Sequence, residues 1–438
     1  MIEFRIQDFF SPRRLLYWRW TLWRSQYYPP QRMRALQWKL LSRMLDHCFA
    51  NVPYYRKLFA DLGLRRSDFA SLEDLSRIPI CNREVLLERD EEFKADDFQR
   101  YRPREIHTSG STGTPLRVYW DIDSNVLELT CVWRHFSWAG YRLGEPFLDL
   151  RSRVLDVPKG YRWNRKCRGL EMSSDVVDAS NIEKYAAVLR KYRVKLWRGH
   201  PSSVDSLCRL LSEVGIDDVK PKYLFTSAEM LLGHQREFIE SWAGVPVCNT
   251  YGLVEHNAFI CQCPEGGYHI APEYGIIEII KDDGSPAQAS EEGRIVATGL
   301  HNRAFPLLRY GTGDYAVQSD RVCSCGRTLP LVEALTGRTD DRLLTADGRW
   351  VSGLYRTLYL PPMGIRMAQL VQAEPLSVDV YLVPTKDYVQ EVESHIRAEL
   401  KRKLGEAMDI RIHRVEEVPY LASPKSKFVV SKLKGAPR

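Results

Sequence analysis

No stretch of the 438-residue chain approaches the ~20 uninterrupted apolar residues that a membrane-spanning helix needs, and that class drops out of the reading. The opening residues MIEFRIQDFFSPRRLLYW lack the basic end, apolar stretch and small-residue cleavage site of a secretory signal, so a cytoplasmic protein is the expectation. Charge of one sign is scarce: 63 basic against 56 acidic residues leave a net +7, which permits an anionic partner without requiring one. Dense basic stripes with interleaved aromatics are missing outside the N-terminal region, so nucleic acid is not expected. Internal repeats and low-complexity segments are missing too. Disorder is excluded by composition, since 44% of the residues are hydrophobic and 27% charged. What is present is a globular chain too long for one core of ordinary size, which predicts two or three domains.

Most of the ten cysteines (Cys48, Cys81, Cys131, Cys167, Cys208 and Cys248) stand alone in apolar context and read as small core residues. The others form two Cys-x-Cys pairs, Cys261 with Cys263 and Cys323 with Cys325. With His269 they offer the soft and borderline ligands that Zn²⁺ takes in a closed tetrahedral site, while free thiols are the plain alternative.

Along the chain, Trp18, Trp20, Trp23, Tyr27 and Tyr28 mix with arginines in residues 11 to 30. The simpler reading is a packed arm with snorkelling arginines; the same pattern also describes a helix in peripheral contact with an anionic membrane. Met33, Leu36, Leu40, Met44 and Cys48 recur every three or four positions and predict a helix from Gln31 to about Ala50, ended by Pro53. From about Ile106 to Gly299, short apolar runs (PFLDLR, VKLWRGHP, KYLFTSAEM, VPVCNTYG) alternate with helical patterns in a βαβ rhythm, which implies a largely parallel, buried sheet. Past Ile295 shorter strands with turns are expected. From Asp340 the character changes again: Leu376, Val378, Val380 and Leu382 alternate as in a half-buried strand. Val389, Val392, Ile396, Leu400 and Leu404 then share one helix face, Gly405 suits its stop, and Ile410 with Ile412 begins another strand. The fold expected is α/β: a large multi-layer domain with mostly parallel sheets over residues 1–339, of which 1–60 form a helical arm, and a small mobile α+β lid over 340–438.

The sharpest chemical signal is HTSGSTGTP, His107 to Pro115. Gly110 and Gly113 free the backbone to wrap an anion, and Thr108, Ser109, Ser111, Thr112 and Thr114 crowd hydroxyl donors around it, as a phosphate cradle needs. No Lys-Ser/Thr step closes it, so it is not a Walker loop.

TSGSTGTP resembles the phosphate loop of the adenylate-forming ligases, the superfamily of acyl-CoA synthetases, nonribosomal adenylation domains and luciferases. That resemblance predicts further motifs in order, and each has a counterpart: TSAEM (Thr226 to Met230), YGLVE (Tyr251 to Glu255), RYGTGD (Arg309 to Asp314), GRTD (Gly337 to Asp340) and SPK (Ser423 to Lys425). NVPYYRKLF, CPEGGYHI, CSCGR and FVVSKL resemble the phenylacetate-CoA ligase branch and especially its capsule-biosynthesis CapK-type relatives, so the similarity covers nearly the whole chain. Leu116-Arg117 where many acyl-CoA synthetases have Lys-Gly after the loop proline, and Gly311 where an arginine is common, point away from the fatty-acid and acetate branches.

The resemblance implies the following roles. A carboxylate attacks the α-phosphate of ATP, and two anions must be neutralised and aligned. Thr108, Ser109, Gly110, Ser111, Thr112, Gly113 and Thr114 hold the β,γ-phosphates, and catalytic Glu255 helps hold Mg²⁺. Tyr251 and Gly252, with the Ser227, Ala228 and Glu229 turn, flank adenine; Asp314 accepts from the ribose hydroxyls, with Arg338 as neighbour. Catalytic Lys425 bridges the attacking carboxylate and the α-phosphate, with Lys427 as its rival because Pro424 stands where the family has glycine. Asp340, beside Asp341, is the hinge on which the small domain turns. The zinc ligands implied are Cys263, His269, Cys323 and Cys325, with Cys261 the competing fourth. His107 and His256 are candidates to line the acyl pocket.

The activity implied is an ATP-dependent, AMP-forming carboxylate ligase that passes its acyl group to coenzyme A. Transfer to an amine or hydroxyl in surface polysaccharide biosynthesis is the alternative, and a non-catalytic nucleotide-binding protein a further one. Oligomeric state is not legible in the sequence.

Overall fold

A computed structural model describes residues 12–107, 116–151, 160–174, 177–338, 343–348, 350–351, 364–385, 388–419 and 429–433. The loop residues Thr108 to Pro115, the hinge candidate Asp340 and both tail lysines, Lys425 and Lys427, lie outside them. The chain divides into two compact units. The first takes 1–143, 248–312 and 316–334; the second takes 144–247, 313–315 and 335–438.

In the first unit the expected helix spans Pro30–Asn51, and Pro53 opens another, Pro53–Asp61, because proline fits the first helical turn, where no N–H partner is lost. Both contribute to a core of Leu41, Met44, Leu45, Tyr55 and Phe59 that continues through Phe93, Val118 and Phe305. An antiparallel hairpin pairs Arg104–His107 with Arg117–Trp120 and so frames the two ends of the phosphate-loop candidate. The helix Ile122–Trp138 follows at once. Its cap is Asp121, whose carboxylate accepts the Ser124 N–H at 2.7 Å and also the Arg303 N–H at 2.7 Å. Its other end is held through His135, one ring nitrogen on the Gln262 carbonyl at 2.7 Å and the other on Thr250 Oγ1 at 3.0 Å.

The strands of this unit run antiparallel: Phe259–Gln262 pairs with Val247–Gly252 and with Tyr268–Ile270, and Gly275–Ile280 with Glu292–Gly299. The expectation of a parallel sheet as far as Gly299 is corrected here. So is that of shorter strands past Ile295, since Glu292–Gly299, Tyr310–Gln318 and Leu331–Arg338 hold 8, 9 and 8 residues. The polar run Gly311 to Asp314 lies within the strand Tyr310–Gln318, because a ladder bonds through backbone and tolerates such side chains.

The second unit holds the parallel part. Phe147–Arg151 lies between Gly169–Ser173 and Leu196–Gly199, and Leu196–Gly199 pairs on with Tyr223–Ser227, all parallel, while Tyr161–Asn164 forms an antiparallel edge. Helices Ile182–Tyr192, Pro201–Glu213 and Gly233–Ala243 cover it and close a core around Trp197, Leu207 and Ile239. Near-continuous apolar strands between helices are what a sheet buried on both faces requires.

The C-terminal part of that unit is a four-stranded sheet ordered Asp409–Arg414, Ser377–Pro384, Ile365–Glu374, Val429–Ser431. Helix Glu391–Leu404 lays Val392, Ile396, Leu400 and Leu404 on it, each burial contributing about 1.5–3 kcal/mol. Gly405 ends the helix with φ 105°, and a Cβ there would stand 2.8 Å from that of Ala346. Leu376 and Val389, expected in the apolar faces, sit just outside their elements and are exposed.

Candidate functional site

The YGLVE segment leaves the strand Val247–Gly252 and tightens into a turn in which the His256 N–H reaches the Leu253 carbonyl at 3.1 Å. Glu255 is buried and accepts from the Tyr310 hydroxyl at 3.3 Å. His256 takes the left-handed backbone at φ 55° and stacks on Trp120, rings 4.1 Å apart and 14° from parallel. The Trp120 indole N–H in turn donates to the Val254 carbonyl at 2.5 Å. Burial pushes the His256 imidazole down to about 3, so it is neutral. His107 is different: its ring is exposed and engaged by Glu105 at 2.9 Å.

Among the nucleotide candidates, Tyr251, Gly252 and Glu255 belong to the first unit, and Ser227, Ala228, Glu229, Asp314 and Arg338 to the second. Ser227 ends the strand Tyr223–Ser227, and Ala228 turns the chain with φ 68°, unusual for a residue with a Cβ. The Glu229 carboxylate accepts from Ser202 Oγ at 2.7 Å and Ser202 N at 3.3 Å, at the start of the helix Pro201–Glu213, with His200 Nδ1 at 3.5 Å. Its side chain therefore serves the helix start. Asp314 is buried in the strand Tyr310–Gln318, directly after Gly313 at φ 76°. Arg338 closes the strand Leu331–Arg338.

The cysteine pairs do converge, inside the first unit. Cys263 Sγ, a ring nitrogen of His269, Cys323 Sγ and Cys325 Sγ all lie within 4.8 Å of one another. Cys263 and Cys323 are 3.6 Å apart, and Cys325 Sγ is 3.3 Å from His269 Nε2. Two tight turns present the thiols: Cys263 N–H donates to the Gly267 carbonyl at 2.9 Å, and Gly326 N–H to the Cys323 carbonyl at 3.3 Å. Gly267 is required, because a Cβ there would come within 2.8 Å of Cys323 Sγ and 3.3 Å of His269 Nε2. Burial lowers His269 to about 4 and leaves its imidazole neutral, the form that binds metals. Cys261 stands outside the group, its thiol buried with Arg134 and Cys131 for neighbours.

Sequence reasoning passed over Glu128, Asn257, Tyr274 and Tyr310. The available signal for Glu128 was a single acid inside the apolar run NVLELTCVW.

Comparisons with known proteins agree with this architecture. The CapK C-terminal domain family model matches residues 343–432. The phenylacetate-coenzyme A ligase of Thermus thermophilus is 29% identical over 325 residues, 72% of this chain and 72% of that protein. The protein CapK of Staphylococcus aureus is 23% identical over 279 residues, 63% of this chain and 61% of its own. Among solved structures, 2-hydroxyisobutyryl-CoA ligase in the postadenylation state shares the fold at a TM-score of 0.72 and 15% identity, over 93% of this chain and 91% of the other.

Proposed function

Because the chain belongs to the adenylate-forming superfamily, in its phenylacetate-CoA ligase and CapK branch, and is an adenylate-forming ligase, we propose that it activates a carboxylic acid with ATP and hands the acyl group to the thiol of coenzyme A. The observation that carries this reading is Glu255, a carboxylate buried on the Tyr310 hydroxyl in the turn after Tyr251, within a chain of this ancestry. The acid attacks the α-phosphate, pyrophosphate leaves, and the thiol then displaces AMP from the acyl-adenylate. Thr108 to Thr114 receive the β,γ-phosphates. Tyr251, Gly252 and the Ser227–Glu229 turn flank adenine, and Asp314 with Arg338 takes the ribose. Glu255 would hold Mg²⁺, which would supply positive charge against the phosphates. Lys425 bridges the two reacting anions, with Lys427 as the competing position.

The division at 339/340 and the Asp340 hinge belong to the same reading, with residues 340–438 turning as a lid between the two half-reactions. The match of residues 343–432 to the CapK C-terminal domain favours one second reading, in which the acceptor is an amine or hydroxyl in surface polysaccharide biosynthesis.

Zn²⁺ fits the Cys263, His269, Cys323 and Cys325 set: three thiols and a neutral imidazole at mutual contact, with glycine at 267 keeping the space open. A shell of four protein ligands leaves no place for substrate, so its role is to tie two turns together. Among the described residues no helix is long and apolar enough to cross a membrane. Peripheral lipid contact is assigned to the helix Pro12–Ser25, which buries Trp18, Thr21, Leu22 and Ser25 while exposing Leu16, Trp20 and Trp23 beside arginines.

The test is acid-dependent exchange of labelled pyrophosphate into ATP, with Lys425→Ala and Lys427→Ala alongside. Adenylation is expected to fall about a hundredfold or more in one of the two. Silence with every acid while ATP still binds would replace this reading with that of a non-catalytic nucleotide-binding protein.

A further inference from the structure

One group of side chains in the first unit has no part in the chemistry above. Glu128 lies in the middle of the helix Ile122–Trp138, only 8% exposed, and its Oε2 meets no hydrogen-bond donor. Tyr274, 2% exposed, stands against it within electrostatic reach, but its hydroxyl completes no hydrogen bond of good geometry. His256 Nδ1 and both amide atoms of Asn257 are buried in the same condition. Glu128, Tyr274 and His256 adjoin one another and the YGLVE segment. The His256 and Tyr274 rings are 6.4 Å apart, Asn257 follows His256, and a Cβ on Gly252 would sit 3.9 Å from Glu128 Oε1. Trp120 on His256 and Phe259 against Tyr274 supply aromatic walls.

A buried polar atom without a partner costs about 1–3 kcal/mol, and packing alone selects against several at one place. The cost is recovered when a ligand brings the missing partners. Their chemistry is specific. Glu128 is an acid in an apolar surround, and Arg134 on the same helix is already committed to Glu273 at 2.8 Å. Burial lifts the Glu128 carboxyl to about 7, so a cationic donor beside it would fix it as carboxylate. A plain hydrocarbon ring would leave every one of these atoms unpaired.

We infer that Glu128, with Tyr274, His256 and Asn257, forms the far end of the acyl pocket and receives an amino group carried by the substrate, so that the acid activated is an amino-substituted carboxylic acid. This rests on the ligase reading. Glu128 acts in recognition, and the reacting carboxylate lies at the Glu255 end.

The experiment is pyrophosphate exchange by the full-length protein on matched acids: 3- and 4-aminobenzoate against benzoate and the hydroxybenzoates, 4-aminophenylacetate against phenylacetate, and β-alanine against propionate. The amino member of at least one pair is expected to exceed its plain and hydroxy counterparts in kcat/KM by about tenfold to a hundredfold. Glu128→Gln and Glu128→Leu should bring that ratio close to unity, chiefly through loss on the amino acid, and should melt no lower than the parent without ligand. A general structural role would lower all acids together and leave the ratio in place. Preference for plain or hydroxy acids, or an amino preference that survives both variants, would overturn the inference while the ligase reading stands. Absence of exchange with every acid would remove the ligase reading and this inference with it.

Discussion

The thiols and imidazole at Cys263, His269, Cys323 and Cys325 and the mixed group at Glu128, His256, Asn257 and Tyr274 belong to the same unit; the first pair among themselves, and the second holds several buried polar atoms without a hydrogen bond. The first group, three thiols and an imidazole, converges on a single point, the arrangement a permanently held ion needs. The second mixes a carboxylate, an imidazole, an amide and a phenol between aromatic walls, and its unmet demands are of different kinds. Such a set suits an organic molecule that comes and goes. On the readings proposed above, the convergent thiols and imidazole hold a structural ion and the mixed group receives a substrate.

Removing the ion should break the comparison hardest. Chelation, or Cys323→Ser, is expected to cost on the order of 5 kcal/mol and to lower the melting temperature sharply, with metal analysis showing about one zinc lost per chain. Gly267→Ala should do part of the same, because the new methyl meets Cys323 Sγ. An unchanged melt in protein shown to contain no metal would reduce the cluster to free thiols.

The second group responds with the opposite sign. The Glu128 carboxyl is raised from 4.5 to about 7 in the folded chain, so the native state holds its proton where the unfolded state has lost it. Its contribution is therefore most favourable below pH 4.5 and is lost as pH rises toward 7. Glu128→Gln should stabilise the ligand-free protein by about 1–3 kcal/mol at neutral pH, with the gain vanishing in acid. The histidines lowered by burial, His47, His135, His234, His256, His269 and His301, act in the other direction, so the difference between parent and variant across pH is the quantity to measure.

The smallest effect on folding belongs to the N-terminal helix. Trp20 and Trp23 are 55% and 63% exposed, and replacing both by alanine should change stability by less than about 0.5 kcal/mol. The same change should abolish sedimentation with anionic phosphatidylserine vesicles and leave neutral phosphatidylcholine vesicles unaffected. Equal sedimentation of parent and variant would return this helix to a plain packed arm.

Legibility in the sequence follows the range of the interactions. The buried parallel strands could be read because apolar runs between helical patterns are a local signal, and the helix Pro30–Asn51 could be read from its spacing. The cysteine pairs announced themselves by residue type and the resemblance put Cys263 ahead of Cys261; the physical reason came with the fold, since Cys263 lies just past the strand Phe259–Gln262 in the turn that faces Cys323. The strand Tyr310–Gln318 was hidden by glycine and threonine that serve a ladder as well as a turn. Glu128 was hidden most thoroughly, because helical periodicity marks its position as internal and is silent about Tyr274, far along the chain. The reading of Thr108 to Gly113 and of Lys425 remains one of motif and order.

The helix that carries Glu128 is pinned at both ends, by Asp121 on Ser124 and Arg303 and by His135 on Gln262 and Thr250. A rod fastened twice neither slides nor tilts at small cost, so a substrate amino group received at Glu128, as inferred above, would be held at a fixed place and the acid would be selected by length as well as by charge. Homologous series of amino acids, ordered by carbon count, should show a single sharp optimum.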